Sequence, residues 1–253
     1  MRPRIIPVLL VQDGGLYKTV NFRNGNYLGD PINAIRLFNE MEVDEIIVLD
    51  ISATREGRGP DLGFIEDIAS EAFMPFCYGG GISNINQVRR IFQVGVEKVA
   101  MNRSLLEGNR LIAECADEFG SQSIVGAIDI KTTLLGKEKV YDYIKGKTVQ
   151  VTIEDHINGL ENDGAGEIFL NFVDNDGGMK GYNLKLIERI SKMISLPLIV
   201  CGGAGNLVHM HEAIQAGADA AAAGSLFVYK GKQRGVLINY PSQLELEAIL
   251  GRC

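Results

Sequence analysis

Apolar runs and amphipathic stretches alternate along the whole chain. Short runs rich in Val, Ile and Leu occur at Arg4–Val11, Glu45–Leu49, Met74–Cys77, Lys98–Met101, Ser123–Ile128, Glu167–Leu170, Leu196–Val200 and Ala218–Ala223. They lack strict polar alternation, the pattern of parallel strands covered on their outer face by helices. Between them, apolar positions recur at helical spacing in Pro31–Met41, Leu62–Ala72, Asn86–Val94, Leu106–Phe119, Thr152–Asn162, Leu184–Met193 and Val208–Ala216. Eight strands with interleaved helices in 253 residues predict a (β/α)8 barrel, with a doubly wound sheet as the competitor.

An internal repeat decides for the barrel. Glu45-Ile46-Ile47 aligns with Glu167-Ile168-Phe169, Gly79-Gly80-Gly81 with Gly202-Gly203-Ala204, and Gly95-Val96-Glu97 with Gly217-Ala218-Asp219. The chain therefore reads as two similar halves of four βα units, which close into one TIM barrel. No low-complexity linker separates the halves, so a single domain over residues 1–253 is expected. In such a barrel the chemistry sits where strands end. Two strand-end segments, Asp13–Asp30 and Lys131–Thr148, are long, rich in Gly and polar residues, and are candidate lids.

The two glycine clusters lie at equivalent strand ends. Crowded glycines leave backbone N–H groups bare, and bare N–H groups bind phosphate. Gly80, Gly81 and Asn102 of one half should face Gly203, Gly224 and Ser225 of the other, two sites that suit a bisphosphate ligand. Tight turns alone are the other reading.

The formal net charge of −7 argues against nucleic acid as the main partner and offers no basic face to a membrane. No apolar run is long enough to span a bilayer, and no signal peptide is visible before the first strand. Cys77, Cys115, Cys201 and Cys253 lack metal-type spacing and read as reduced thiols of a cytoplasmic protein. His156, His209 and His211 fall in helical patterns away from the strand ends, as surface or packing residues. Neither a metal nor a cofactor is expected.

Carboxylates at strand ends are the candidate acids and bases. Asp50 and Asp129 end the second and fifth strands, and Asp174 and Asp176 follow the sixth, beside Gly177. Each can act in proton transfer if its surroundings tune it, or can simply cap a loop. Aligning Ile6–Val11 with Val125–Ile130 pairs Asp129 with Leu10, so a mechanism needing one acid per half is missing a partner. At the opposite end of the strands stand Arg4, Glu45, Lys98 and Glu167. Spacing alone reads them as a structural ion-pair network closing the barrel bottom.

Together these residues resemble the HisF family, the cyclase subunit of imidazole glycerol phosphate synthase. The likeness runs through Arg4-Ile5-Ile6-Pro7, Leu49-Asp50-Ile51, Gly79-Gly80-Gly81-Ile82, Ala127-Ile128-Asp129, Asp174-Asn175-Asp176-Gly177 and Gly202-Gly203-Ala204-Gly205. It implies a (β/α)8 barrel with two phosphate sites and a HisH-like glutaminase docked at the bottom. Ammonia would pass through a gate formed by Arg4, Glu45, Lys98 and Glu167 to a substrate held above. Lys18 matches the family's mobile-loop lysine. Asp50, Asp176 and Gly177 join the implied substrate contacts, with Asp129 the catalytic acid or base. The family's other catalytic aspartate is Leu10 here, and Arg103 stands where a small hydroxyl residue is usual. This pattern resembles the divergent WbuZ-like branch, also called a second HisF. For that branch the implied role is delivery of ammonia to a sugar amidotransferase that makes acetamidino sugars of surface polysaccharide. An ordinary histidine-pathway lyase and a non-catalytic activator of the glutaminase are the alternatives. The segment Gly231–Pro241 replaces the family's usual last-helix sequence with a basic stretch.

Overall fold

The computed structural model describes residues 3–251. Cys253 lies outside them; Cys77, Cys115 and Cys201 are buried free thiols. Eight parallel strands form the barrel: β1 (Arg4–Gln12), β2 (Ile46–Asp50), β3 (Phe76–Gly79), β4 (Lys98–Met101), β5 (Ile124–Thr132), β6 (Glu167–Phe172), β7 (Leu198–Cys201) and β8 (Ala220–Ala223). Neighbours pair in chain order, and β8 closes the ring onto β1 through Arg4↔Ala220 to Pro7↔Ala223. The expected (β/α)8 barrel is the observed fold.

Eight helices cover it: α1 (Pro31–Glu40), α2 (Leu62–Glu71), α3 (Ile85–Gln93), α4 (Leu111–Phe119), α5 (Ile153–Asn162), α6 (Leu184–Ser191), α7 (Leu207–Gln215) and α8 (Gln243–Leu250). Polar side chains start most of them. Asp30 caps α1 just before Pro31, and Asn84 with Gln87 forms a capping box on α3. Each side-chain cap satisfies a backbone N–H that the first turn would otherwise leave bare, worth about 1 kcal/mol.

The core has two layers. Strand residues pointing outward, such as Ile5, Val48, Val99 and Ile168, pack under the helices. Those pointing inward form a separate cluster: Ile6, Val8, Ile47, Cys77, Ala100, Val125, Ala127, Phe169, Ile199, Cys201, Ala220 and Ala222, with Leu10 and Leu49 packed against it. The bore of the barrel is thus apolar and, along β8, lined by alanine.

The structure corrects the expected boundaries in three places. The long segments are not irregular loops. Gly15–Val20 pairs with Arg23–Gly29 and with the end of β1, and β5 runs on to Thr132 and returns as Glu138–Asp142. The first turn holds Asn21 and Phe22, both at positive φ, as a tight hairpin requires. Phe at such a position is unusual, so no hairpin signal marks this turn. The helix expected over Leu106–Phe119 is broken: one turn spans Arg103–Leu106, and α4 starts only after Gly108, whose φ is +67°. The last helix is not replaced. A small antiparallel pair, Tyr229–Lys230 with Gly235–Val236, precedes it, and a Ser242–Glu245 capping box then opens α8.

Candidate active site at the barrel mouth

Side chains alternate in and out along a strand, so the parity that sends Val8 and Ala127 inward also sends Leu10 and Asp129 inward, one step nearer the mouth. Both line a cavity of about 380 Å³ together with Leu49, Asp50, Gly80, Gly81, Asn102, Phe169 and Asn171. Asp129 is buried and accepts hydrogen bonds from Asn102 Nδ2 at 2.9 Å and Asn171 Nδ2 at 3.4 Å. Burial pushes its carboxyl up to about 7, against the two amide donors, which favour the ionised form. A carboxyl poised there can both take and give a proton at neutral pH. Leu10 offers no such group.

The remaining carboxylates are engaged. Asp50 Oδ1 accepts from Ser52 N, Ser52 Oγ and Ala53 N, each at 2.9 Å, and Oδ2 lies 3.8 Å from Arg58 Nη1. Asp176 Oδ1 accepts from Lys18 Nζ at 2.6 Å, and its Oδ2 accepts from Thr19 Oγ1 at 2.9 Å. Asn21 N also donates to the Asp176 carbonyl at 3.0 Å. Asp174 Oδ2 accepts from Thr132 N.

The two glycine clusters stand in different surroundings. Gly80 and Gly81 open on the cavity; a Cβ at Gly80 would fall 2.4 Å from the Asp50 carbonyl oxygen, so only glycine lets β3 pass β2 there. Gly81 N donates to Thr54 Oγ1 at 3.1 Å, and the Tyr143 hydroxyl of the second hairpin also bonds Thr54. Gly203, Gly224 and Ser225 lie away from the cavity. The stem of Lys18 passes 3.0 Å from where a Gly224 Cβ would stand, and Thr19 and Val20 press on Gly177. Arg234 Nη2 donates to the Gly177 carbonyl at 2.9 Å. The Ser225 hydroxyl is buried and unpartnered.

The far end of the bore is closed by charge. Arg4 bonds Glu45 and reaches Glu167 at 2.9 Å; Lys98 Nζ lies 3.2 Å from Glu45 and 3.1 Å from Glu167. Cations and anions alternate around a four-membered ring. Burial opposes the charge on Arg4, but Glu45 and Glu167 outweigh it and hold its pKa above the ordinary value. Burial also pushes the Cys77 thiol, which sits in the field of all four charges, well up.

The described sequence from residue 4 to residue 234 matches the family model for histidine biosynthesis protein. The chain belongs to the HisF family. It is 47% identical over 251 residues to the "Putative imidazole glycerol phosphate synthase subunit HisF" of Leptospira interrogans, covering 98% of this chain and 99% of the relative. It is 46% identical over 248 residues, with the same two coverages, to the like-named hisF2 subunit of Pseudomonas aeruginosa. It is 38% identical over 230 residues to the imidazole glycerol phosphate synthase subunit HisF of Streptococcus sanguinis, covering 90% of this chain and 91% of that one. The HisF barrel of this chain gathers Leu10, Asp50, Gly80, Gly81, Asn102 and Asp129 at one cavity. Lys18 and Asp176 are paired beside it, Gly177 and Gly224 lie under the first hairpin, Gly203 packs against Gly181 and Asn175, Ser225 is buried next to Gly224 in the chain, and the four ring residues stand at the other end.

Residues that sequence reasoning missed include Asn171, Thr54, Arg55 and Tyr143. Asn171 could have been found from strand parity: it stands two residues beyond the inward-facing Phe169, and β6 carries it level with Asp129 in the ladder (Asn171↔Asp129). Tyr143 reaches the mouth only because the second segment folds back as a hairpin. Among the described residues no His, Cys, Asp and Glu cluster fit to hold a metal is present, and no helix is long and apolar enough to cross a membrane.

Proposed function

We propose that this HisF-family chain is the ammonia-conducting subunit of a glutamine-dependent amidotransferase. A HisH-like glutaminase would dock at the ring end and release ammonia there. Neutral ammonia can enter an apolar bore, whereas ammonium would lose its hydration without a partner, at a cost of several kcal/mol. Displacing Lys98 or Arg4 from the ring would open the way. The bore lining from Ile6 to Ala127 presents no charged side chain to trap the cargo. At the exit, Asp129 is the one inward carboxyl not held by an ion pair among the described residues.

The observation that carries this reading is Leu10 facing the mouth opposite Asp129 while the four-charge ring is intact. The chain has the residues of a conduit and one of two acid–base groups. The product class proposed is an acetamidino sugar for surface polysaccharide, made with a separate sugar amidotransferase in the cytoplasm. The reading as an authentic imidazole glycerol phosphate synthase lyase is favoured by Asp129 itself, buried with a carboxyl near neutrality. That reading needs a second carboxylate, and both Asp50 and Asp176 are already committed to other partners.

A cyclase assay on the isolated chain with the phosphoribosyl intermediate and excess ammonium tests the choice, because ammonium bypasses the bore. No turnover by folded protein is expected. Turnover near that of an ordinary HisF would overturn the proposal and establish the lyase.

A further inference from the structure

The formal charge of −7 is unevenly spread. The eight segments that lead from a barrel strand to the next helix, all at the mouth end, hold fourteen of the 25 Lys and Arg but only nine of the 32 Asp and Glu. The mouth is therefore the basic pole of an acidic protein, and the expectation that the chain offers no basic face does not hold there. The cavity does not account for the excess, because its wall carries three arginines and no lysine.

The lysines sit on two hairpins outside the cavity. The second hairpin carries Lys137, Lys139, Lys145 and Lys147, and both of its acids are already bonded. Glu138 accepts from Asn183 Nδ2 at 3.2 Å, and the buried Asp142 holds Arg103 and Lys145, each at 3.4 Å. Lys137 and Lys147 are exposed and have no ion-pair partner among the described residues. The third hairpin, Tyr229–Lys230 with Gly235–Val236, adds Lys230, Lys232 and Arg234, all exposed, and contains no acid. The Arg234 bond to the Gly177 carbonyl fixes it at the mouth.

Both hairpins also expose apolar side chains. The turn 133–137 is closed by Thr133 N on the Lys137 carbonyl at 2.8 Å, Gly136 N on the Thr133 carbonyl at 2.9 Å and Lys137 N on Thr133 Oγ1 at 3.1 Å. It holds Leu134 and Leu135 out in water, 107% and 87% exposed, and Val236 and Leu237 of the third hairpin are half exposed. A leucine gains by leaving water, and nothing in this chain covers these two. Apolar projections flanked by unpaired cations are the makeup of a surface that enters an anionic lipid interface. A rigid protein would need a pit for the leucine tip and acids in register with hairpins that rise from different sides of the ring. A fluid anionic bilayer needs neither.

We propose that the mouth end docks on an anionic lipid bilayer, with Leu134 and Leu135 in the boundary between headgroups and acyl chains and the lysines of both hairpins over the headgroups. This concerns the outer rim and rests on neither the conduit nor the lyase reading.

Flotation of the full chain with vesicles at pH 7 and about 0.1 M salt tests it. One set is phosphatidylcholine alone, and the other carries about 30% phosphatidylglycerol. Binding to the anionic set should be at least tenfold tighter. Leu134→Ser with Leu135→Ser, and separately Lys137→Gln with Lys147→Gln, should each weaken it at least fivefold. All four positions are exposed, and circular dichroism melts check that the variants remain folded. The chain has no Trp, so Leu134→Trp reports on the tip alone; its emission should shift to the blue on anionic vesicles and not on neutral ones. No flotation with anionic vesicles, equal binding to both sets, or full binding by either double variant would overturn the proposal. So would an unshifted Trp emission in floated protein. Retention on immobilised polyglutamate without flotation would assign the face to an acidic macromolecule and overturn it as well. None of these measurements needs a glutaminase, a phosphate ligand or turnover.

Discussion

Replacing Asp129 with Asn should stabilise the protein, and do so more strongly as pH rises. Asp129 is buried, and its carboxyl is held near 7, against about 3.9 in an unfolded chain. Between those values the native state keeps a proton that the unfolded state has lost, so stability falls as pH rises. The penalty grows from about 1.5 kcal/mol at pH 5 to about 4 kcal/mol at pH 8, taking 1.36 kcal/mol per pKa unit. Asparagine stays neutral throughout and keeps the shape. One of the bonds from Asn102 and Asn171 would meet an amide NH2 instead of an oxygen, a loss of about 1 kcal/mol at every pH. The variant should therefore be close to wild type at pH 5 and about 3 kcal/mol more stable at pH 8, some 6–12 °C in Tm for a chain of this size. Urea unfolding at both pH values, followed by far-ultraviolet circular dichroism, measures it. A wild-type minus variant difference that does not change between pH 5 and pH 8 would refute the claim that burial governs this carboxyl.

Lys98→Met leaves Glu45, only 2% exposed, with Arg4 alone; about 3 kcal/mol of stability should be lost, and a loss below about 0.5 kcal/mol in denaturant unfolding would mean the ring is merely solvated. In complex with the glutaminase partner proposed above, the same variant should alter glutamine-driven product formation while leaving glutaminase stimulation intact, whereas a pure activator would show no such split. Leu10→Asp should bring cyclase turnover with ammonium up at least tenfold from background if the mouth lacks only that acid; no gain, with folded protein, would show that the mouth has diverged further. His156 is buried with Nε2 unpartnered, and burial pushes it down to about 4. The unfolded state takes up a proton first, so stability should fall as pH drops from about 6.5 towards 4; His156→Leu should remove that acid-side loss in melts recorded from pH 7 to pH 4.5.

The barrel was legible because its strands are apolar on both faces and its repeat is strong. Asp129 and Leu10 can be compared from sequence alone, since strand parity puts aligned positions on the same face. The hairpins were hidden for a local reason: Asn21-Phe22 lacks the glycine that announces such a turn, and Phe22 accepts a left-handed backbone only inside the packed hairpin. The pairing of Lys18 with Asp176 spans 158 residues and leaves no trace in local pattern. The same holds for Arg55, which looks like an ordinary loop cation until β2 and β3 bring it to the cavity wall. Spacing could propose the ring of four charges, but alternation of sign around it is a property of the closed barrel. In α8, by contrast, the Ser242–Glu245 box is a local signal that the sequence carries in full.

The ring has a kinetic side. Its contacts join residues 41, 53 and 69 positions apart, and Arg4 to Glu167 across more than half of the chain. Contacts of such long range form late, after the strands between them have assembled. Interactions absent from the transition state slow unfolding and leave the folding rate nearly untouched. The four charges should therefore act chiefly as a clasp on the finished barrel, setting how long it survives between openings. Stopped-flow folding of Lys98→Met would show this as a faster unfolding limb beside an unchanged folding limb.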